Sequence, residues 1–272
     1  MPRMMIAAEE NSMTAKLKTV KSPSVRDRVG KQEWQVRVDL AAAYQLAAQF
    51  RWTDLIYTHF SARVPGTEDI LINAYGLMFD EISASNLVKI DLDGNLLDDP
   101  LDYGINQAGY VIHSCVHKAR PEINCVMHTH TRAGVAVSAM KCGLLPISQH
   151  AMRVHSEVTY HDYEGIALDM DEQARMARDL GKTSKAMILR NHGLLALGES
   201  VREAVEVMYF LDCACQIQID AMAGGMQNVL PMSDGAARTA DEQFHRADRP
   251  SSRKDWPALL RMLDRRGVNY RD

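Results

Sequence analysis

No stretch of this chain is both long and apolar enough to cross a bilayer, because each apolar run is short or broken by charge. Residues Met1 to Glu10 lack the apolar core of a secretory signal, so the expected location is the cytoplasm and no membrane is expected as a partner. A surplus of one charge is also missing. A net charge of −4 and a pI near 6.2 give no basic surface for nucleic acid. Cysteine is scarce, and Cys115, Cys125, Cys142, Cys213 and Cys215 lack the paired spacing of a thiolate metal site. They read as free thiols in a reducing compartment. Repeats and interior linkers are absent too, so 272 residues with 46% apolar content suggest one α/β domain with tails.

What is present has a clear order. Residues 1–32 are polar and aperiodic, carry Pro2 and Pro23, and are expected to form a mobile arm. From Glu33 onward Val36, Leu40, Ala43, Tyr44, Ala47 and Phe50 recur at helical spacing. Strands are expected over 55–64 and 70–73, split by the turn Pro65-Gly66. Residues 87–97 read as a hairpin about Asp93-Gly94, a dipeptide suited to a type I′ turn. The same Asp-Leu-Asp-Gly run falls short of the ligand set of a calcium loop. Helices are expected over 107–119, 132–140 and 171–181, the last ended by Gly181. Residues 141–165 read as a long connection. Ser200 and Glu203 form a capping box for a further helix. The domain is thus bounded at 33–224, and 225–272 is a polar tail with a short docking helix at 256–263.

The most informative segment is Cys125 to Thr131. An apolar run there ends in His128 and His130, two positions apart. On a strand such side chains leave the same face, roughly 6.5–7 Å apart along it. A third imidazole, His192, lies between two apolar runs beside Gly193, whose freedom permits a sharp turn. Three neutral histidines with one position open describe a catalytic metal site rather than a closed structural one. A nitrogen-only set suits zinc, one divalent ion per subunit.

Longer motifs surround these residues. They are Leu-Ile-Tyr-Thr-His-Phe-Ser-Ala-Arg over 55–63, Ala-Ser-Asn-Leu-Val-Lys-Ile over 84–90 and Asn-Gln-Ala-Gly-Tyr over 106–110. Ala-Val-Ser-Ala-Met-Lys-Cys-Gly-Leu-Leu-Pro-Ile-Ser (136–148), Tyr-His-Asp-Tyr-Glu-Gly (160–165) and Leu-Arg-Asn-His-Gly-Leu (189–194) follow. In this order they resemble the class II aldolase/adducin family, more closely the adducin head domain than the sugar-phosphate aldolases. The resemblance implies an α/β/α sandwich around a mainly antiparallel sheet. It also implies a homo-oligomer, commonly a tetramer, with sites at subunit interfaces. In the resembled aldolases the matching histidines bind zinc or a similar ion, which carries over to His128, His130 and His192. The ion there polarises a carbonyl and stabilises an enediolate.

This chain departs from the resembled aldolases in two places. Those enzymes carry a proton-transferring Glu one turn before a helical His. With His113 set against that His, Gly109 falls at the Glu position. His113 is then expected beside the site, where it would orient a ligand, and His117 at the helix surface. The phosphate cradle is reduced as well. Its places hold Thr58-His59, Tyr75-Gly76 and Gln107-Ala108, and only Gly76 survives clearly. His59, Gly76 and Gln107 are therefore expected to meet an unphosphorylated small molecule.

Tyr163, Glu157 and His161 are the candidates to replace the missing Glu. Tyr163 leads, because the resembled aldolases take an acid tyrosine from this region. Two functions remain. One is a metal-dependent lyase acting on a small hydroxy- or keto-acid or aldehyde. The other is a non-catalytic, adducin-head-like module for oligomerisation or cytoskeletal protein binding. Adducins bind actin and spectrin largely through a neck and a basic tail, whereas 246–271 is short and of mixed charge, so the lyase reading leads.

Overall fold

The computed structural model describes residues 24–165, 170–246 and 254–272, so most of the expected arm, 1–23, lies outside the described residues. The remainder of that arm is helical. Helix α1 (Val25–Arg28) is capped by Ser24, and α2 (Lys31–Phe50) follows at once. The chain continues through β1 (His59–Arg63), β2 (Ile70–Ile72), β3 (Val88–Ile90), β4 (Leu96–Asp98), α3 (Gln107–Ala119), β5 (Cys125–Thr129) and α4 (Arg132–Ser138). It ends with β6 (Val158–His161), α5 (Met170–Leu180), β7 (Ala186–Leu189), β8 (Gly193–Gly198), α6 (Val201–Met222), α7 (Asp234–His245) and α8 (Asp255–Arg265).

Among the described residues eight strands form one sheet in the order β4-β3-β2-β1-β5-β8-β7-β6. Every adjacent pair is antiparallel except β6 and β7. Alternation of side chains across the sheet builds two cores. Phe60, Met127, Ile188 and Leu194 face a core shared with Leu46 of α2, Val137 of α4, Met208 of α6 and Leu263 of α8. Val126, Met187 and Leu195 face the other, with Val116 of α3 and Leu180 of α5. Three layers result, α/β/α, as the resemblance implied. Tyr44 fastens α2 to the sheet, its hydroxyl accepting from the amides of Phe60 at 2.7 Å and Asn73 at 3.2 Å.

The differences from expectation are local. The β3–β4 hairpin forms, but not by a type I′ turn, which needs positive φ at both central residues. Only Gly94 has it, at 87°, while the Asp91 carboxylate accepts from the amides of Asp93 and Asn95 at 2.9 Å each. This Asx arrangement sets the reversal instead. The 141–165 connection contains β6, a short edge strand whose mixed polarity gives no alternation to read. The polar tail is tied down more firmly than a tail need be. Leu263 and Tyr270 are fully buried, and the amide of Ala84 donates to the Tyr270 carbonyl at 3.1 Å. Among the described residues no helix is long and apolar enough to cross a membrane.

Candidate metal centre

Central strand β5 carries His128 at its fourth position, and His130 follows its last residue. The β7–β8 connection, Arg190-Asn191-His192, supplies the third imidazole. Asn191 takes the left-handed conformation at φ 55°, and the His192 amide donates to the Leu189 carbonyl at 3.1 Å. Asn tolerates this backbone better than most residues. Gly193 then lets β8 meet the end of β5, since a Cβ there would lie 2.5 Å from the Thr129 carbonyl oxygen. The three histidines each offer a nitrogen within 4.8 Å of the others.

Their hydrogen bonds decide which nitrogens are free. His128 Nδ1 lies 3.1 Å from the Leu194 carbonyl oxygen, and His130 Nδ1 lies 2.9 Å from Asp54 Oδ2. A carbonyl and a carboxylate oxygen only accept, so both Nδ1 atoms carry the proton. Both Nε2 atoms are then bare in the neutral rings, and they face each other at 2.9 Å. Two lone pairs at that distance repel unless a cation lies between them. Burial, reinforced by neighbouring imidazoles, holds the His128 pKa well below its usual value, and burial lowers that of His192 to about 4. Three imidazole nitrogens within 4.8 Å of one another are a donor set that fits a divalent ion. Asp54 completes a carboxylate–histidine support of the kind that orients metal ligands. Nothing in the sequence around Trp52-Thr-Asp-Leu55 marks Asp54, because its partner lies 76 positions away.

The triad floors a cavity also lined by Asp54, Tyr57, His59, Tyr75, Asn106 and Tyr163. Tyr163 is half exposed, with its ring centroid 6.3 Å from that of His192. Of the three residues expected to meet substrate, only His59 lines this cavity. At the other two places the neighbours Tyr75, Asn106 and Ala108 stand in for Gly76 and Gln107, and Gln107 is exposed. Glu157 is not brought in either. It precedes β6 and pairs with His245 at 3.5 Å, and β6 then carries the chain about 13 Å before the site end is reached. His161 ends β6 near His192, but its Nδ1 lies 2.8 Å from Asp179 and the ring is buried against α5.

Beneath the cavity lies a buried histidine series. His59 Nδ1 meets His113 Nε2 at 2.9 Å, which places His113 behind His59. His117, expected at the helix surface, is only 1% exposed, because α3 is enclosed between the sheet and α5. Burial lowers the pKa of His59 to about 3, assisted by His130 and His192. It does the same for His117, assisted by Arg63, and pushes His113 well below its usual value. Gly109 belongs to this arrangement. A Cβ on it would lie 2.5 Å from His59 Cδ2 and 2.8 Å from Nε2, so the His59 ring fills the space that a side chain at 109 needs.

Residues 38–219 match the family model described as Class II Aldolase and Adducin N-terminal domain. A solved aldolase II superfamily protein from Pseudomonas syringae is 55% identical, with a TM-score of 0.88 over 92% of this chain and 100% of that one. The L-fuculose 1-phosphate aldolase of Glaciozyma antarctica is 25% identical, with a TM-score of 0.76 over 93% of this chain and 97% of that one. Alpha-adducin of Rattus norvegicus is 43% identical over 89% of this chain, a match that spans 35% of the adducin.

Proposed function

The chain belongs to the class II aldolase and adducin family, and on that premise we propose that it is a divalent-metal-dependent lyase acting beside the carbonyl of a small unphosphorylated substrate. The observation that carries this reading is the pair of bare Nε2 atoms of His128 and His130, facing at 2.9 Å with both Nδ1 atoms committed elsewhere. Class II aldolases are typically dependent on a divalent metal, and His128, His130 and His192 would hold it here, zinc being the ion that three nitrogens suit. Bound there, such an ion supplies Lewis-acid polarisation of a substrate carbonyl.

The chain's own residues supply the rest. Asp54 fixes the His130 ring, and the Leu194 carbonyl fixes that of His128. No Lys or Arg is among the described residues lining the cavity, so a phosphate dianion would meet no Lys or Arg side chain there. A neutral or singly charged hydroxy- or keto-compound suits these walls better. Tyr163, at the mouth, is the group proposed to give a proton to the oxygen or carbon exposed by bond cleavage. Tyr57, Tyr75 and Tyr163 form a half-exposed aromatic rim, which fits a mouth covered by a neighbouring subunit of a homo-oligomer, a tetramer in this reading. The cytoplasm remains the proposed location.

Elemental mass spectrometry on chelator-free protein tests the centre. About one divalent ion per subunit is expected in the wild type, and a residue of less than a tenth of that in His128→Ala with the circular dichroism spectrum retained. Unchanged metal content in the variant would remove the assignment. Turnover tests the acid. Tyr163→Phe is expected to keep its metal and to lose roughly 100-fold in kcat, the lower range for removal of a general acid. Undiminished turnover would take Tyr163 out of the mechanism. The likeness to alpha-adducin favours a second reading, a protein-binding module. Wild-type protein that takes up no metal even from added zinc would favour that one.

A further inference from the structure

The buried histidines beneath the cavity are joined in one direction. His117 Nδ1 lies 3.2 Å from the Ile123 carbonyl oxygen, which only accepts, so Nδ1 carries the ring proton. Its Nε2 is then an acceptor, and the Ser61 hydroxyl 2.8 Å away must donate to it. Ser61 has one proton to give. Its oxygen therefore accepts from His113 Nδ1, at 2.5 Å. That leaves His113 Nε2 as an acceptor, and His59 Nδ1 at 2.9 Å must be the donor. Reversing any link would set two protons or two lone pairs against each other. All four side chains are at most 2% exposed, so water offers no escape from this order.

The order ends at His59 Nε2, which has no hydrogen bond among the described residues although its ring lines the cavity beside His128 and Tyr163. It lies 2.8 Å from where a Cβ on Gly109 would stand. We propose that His59 Nε2 is a fixed hydrogen-bond acceptor for substrate, set by a one-way chain running from the Ile123 carbonyl through His117, Ser61 and His113. The site thereby selects compounds that carry an O–H donor next to the carbonyl oxygen. His59 is the residue that meets substrate, while Ser61, His113 and His117 position it. This rests on the metal centre only for what lies opposite His59, since the tautomer is dictated by contacts that do not involve the triad.

The tautomers can be read directly. In two-dimensional 15N–1H spectra of the full chain, His59, His113 and His117 are expected to show protonated Nδ1 and bare Nε2. Free imidazole side chains favour the opposite form, so the signature is distinctive. Ser61→Ala is expected to leave His117 as it is and to release His113 and His59 to the Nε2–H form. In zinc-loaded wild type, hydroxyacetone is expected to bind about tenfold more tightly than methoxyacetone, the effect of about one hydrogen bond. In Ser61→Ala that preference should disappear with zinc content unchanged. A protonated His59 Nε2 in the wild type, which needs no variant to observe, overturns the proposal. So does equal binding of the two ketones. Failure of the metal reading has a different appearance, namely no zinc uptake with the three tautomers as described.

Discussion

Gly109→Ala is expected to destabilise the protein by about 2–3 kcal/mol, the cost of an overpacked core. Helix propensity alone predicts the opposite sign, since Ala in a helix interior is favoured over Gly by about 1 kcal/mol. Packing prevails because the added Cβ would meet three atoms of the His59 imidazole at 2.5–2.8 Å. That ring cannot swing aside cheaply. Its Nδ1 is bound to His113, and its centroid is 5.1 Å from that of His128. In a His59→Ala background the same change at 109 should become neutral or stabilising by up to about 1 kcal/mol. Urea unfolding of the four proteins of this cycle measures the coupling. Equal effects of Gly109→Ala with and without the His59 ring would show that the ring does not occupy the space of a side chain at 109.

Acid should unfold the metal-free protein well above the pH at which carboxylates protonate. Burial lowers the folded-state pKa of His59 and His117 to about 3 and that of His113 well below its usual value. The unfolded chain titrates near 6.5. Between those values the unfolded state binds more protons, so stability rises with pH across the window. The contribution is complete above pH 6.5 and is lost as pH falls towards 3. Each such histidine removes about 1.4 kcal/mol per pH unit, so His59 and His117 together remove about 4 kcal/mol by pH 5, and His113 acts in the same direction. That is a large share of the stability of an ordinary domain. Urea midpoints at pH 7 and pH 5 measure it. His117→Gln should lower the pH slope by about one proton whatever it does to stability at pH 7. A midpoint unchanged between the two pH values would mean that these rings titrate normally.

Much of this molecule was legible in the sequence because its physics is periodic or local. Strands with alternating faces and helices with capped ends announced the α/β arrangement, and His128 and His130 reached one face by strand geometry. What stayed hidden depends on distant partners. Asp54 meets His130 across 76 positions, and Gly109 was visible as a lost carboxylate but not as room for His59. Glu157 is close to His161 in sequence, yet an extended strand puts the two at opposite ends of β6. One helix face usually meets water, which predicts an exposed His117, whereas α3 is enclosed on nearly every side. Helix α7 buries no residue, so apolar periodicity could not reveal it.

The two halves of the site stand on supports that open at different rates. His128 belongs to β5, which is laddered on both sides by β1 and β8, and His192 sits at the turn that begins β8. Amides in such interior strands exchange with solvent only through large-scale unfolding, whereas loops open with little free energy. Asp54 and Tyr163 lie outside the strands and helices, and Tyr163 is half exposed. Loop motions run on nanosecond to microsecond scales and strand opening on far longer ones. Entry and exit of small molecules can therefore occur many times over while His128 and the strands that ladder with it stay in place. Variation in the loops can likewise alter which molecule is accepted without disturbing that strand.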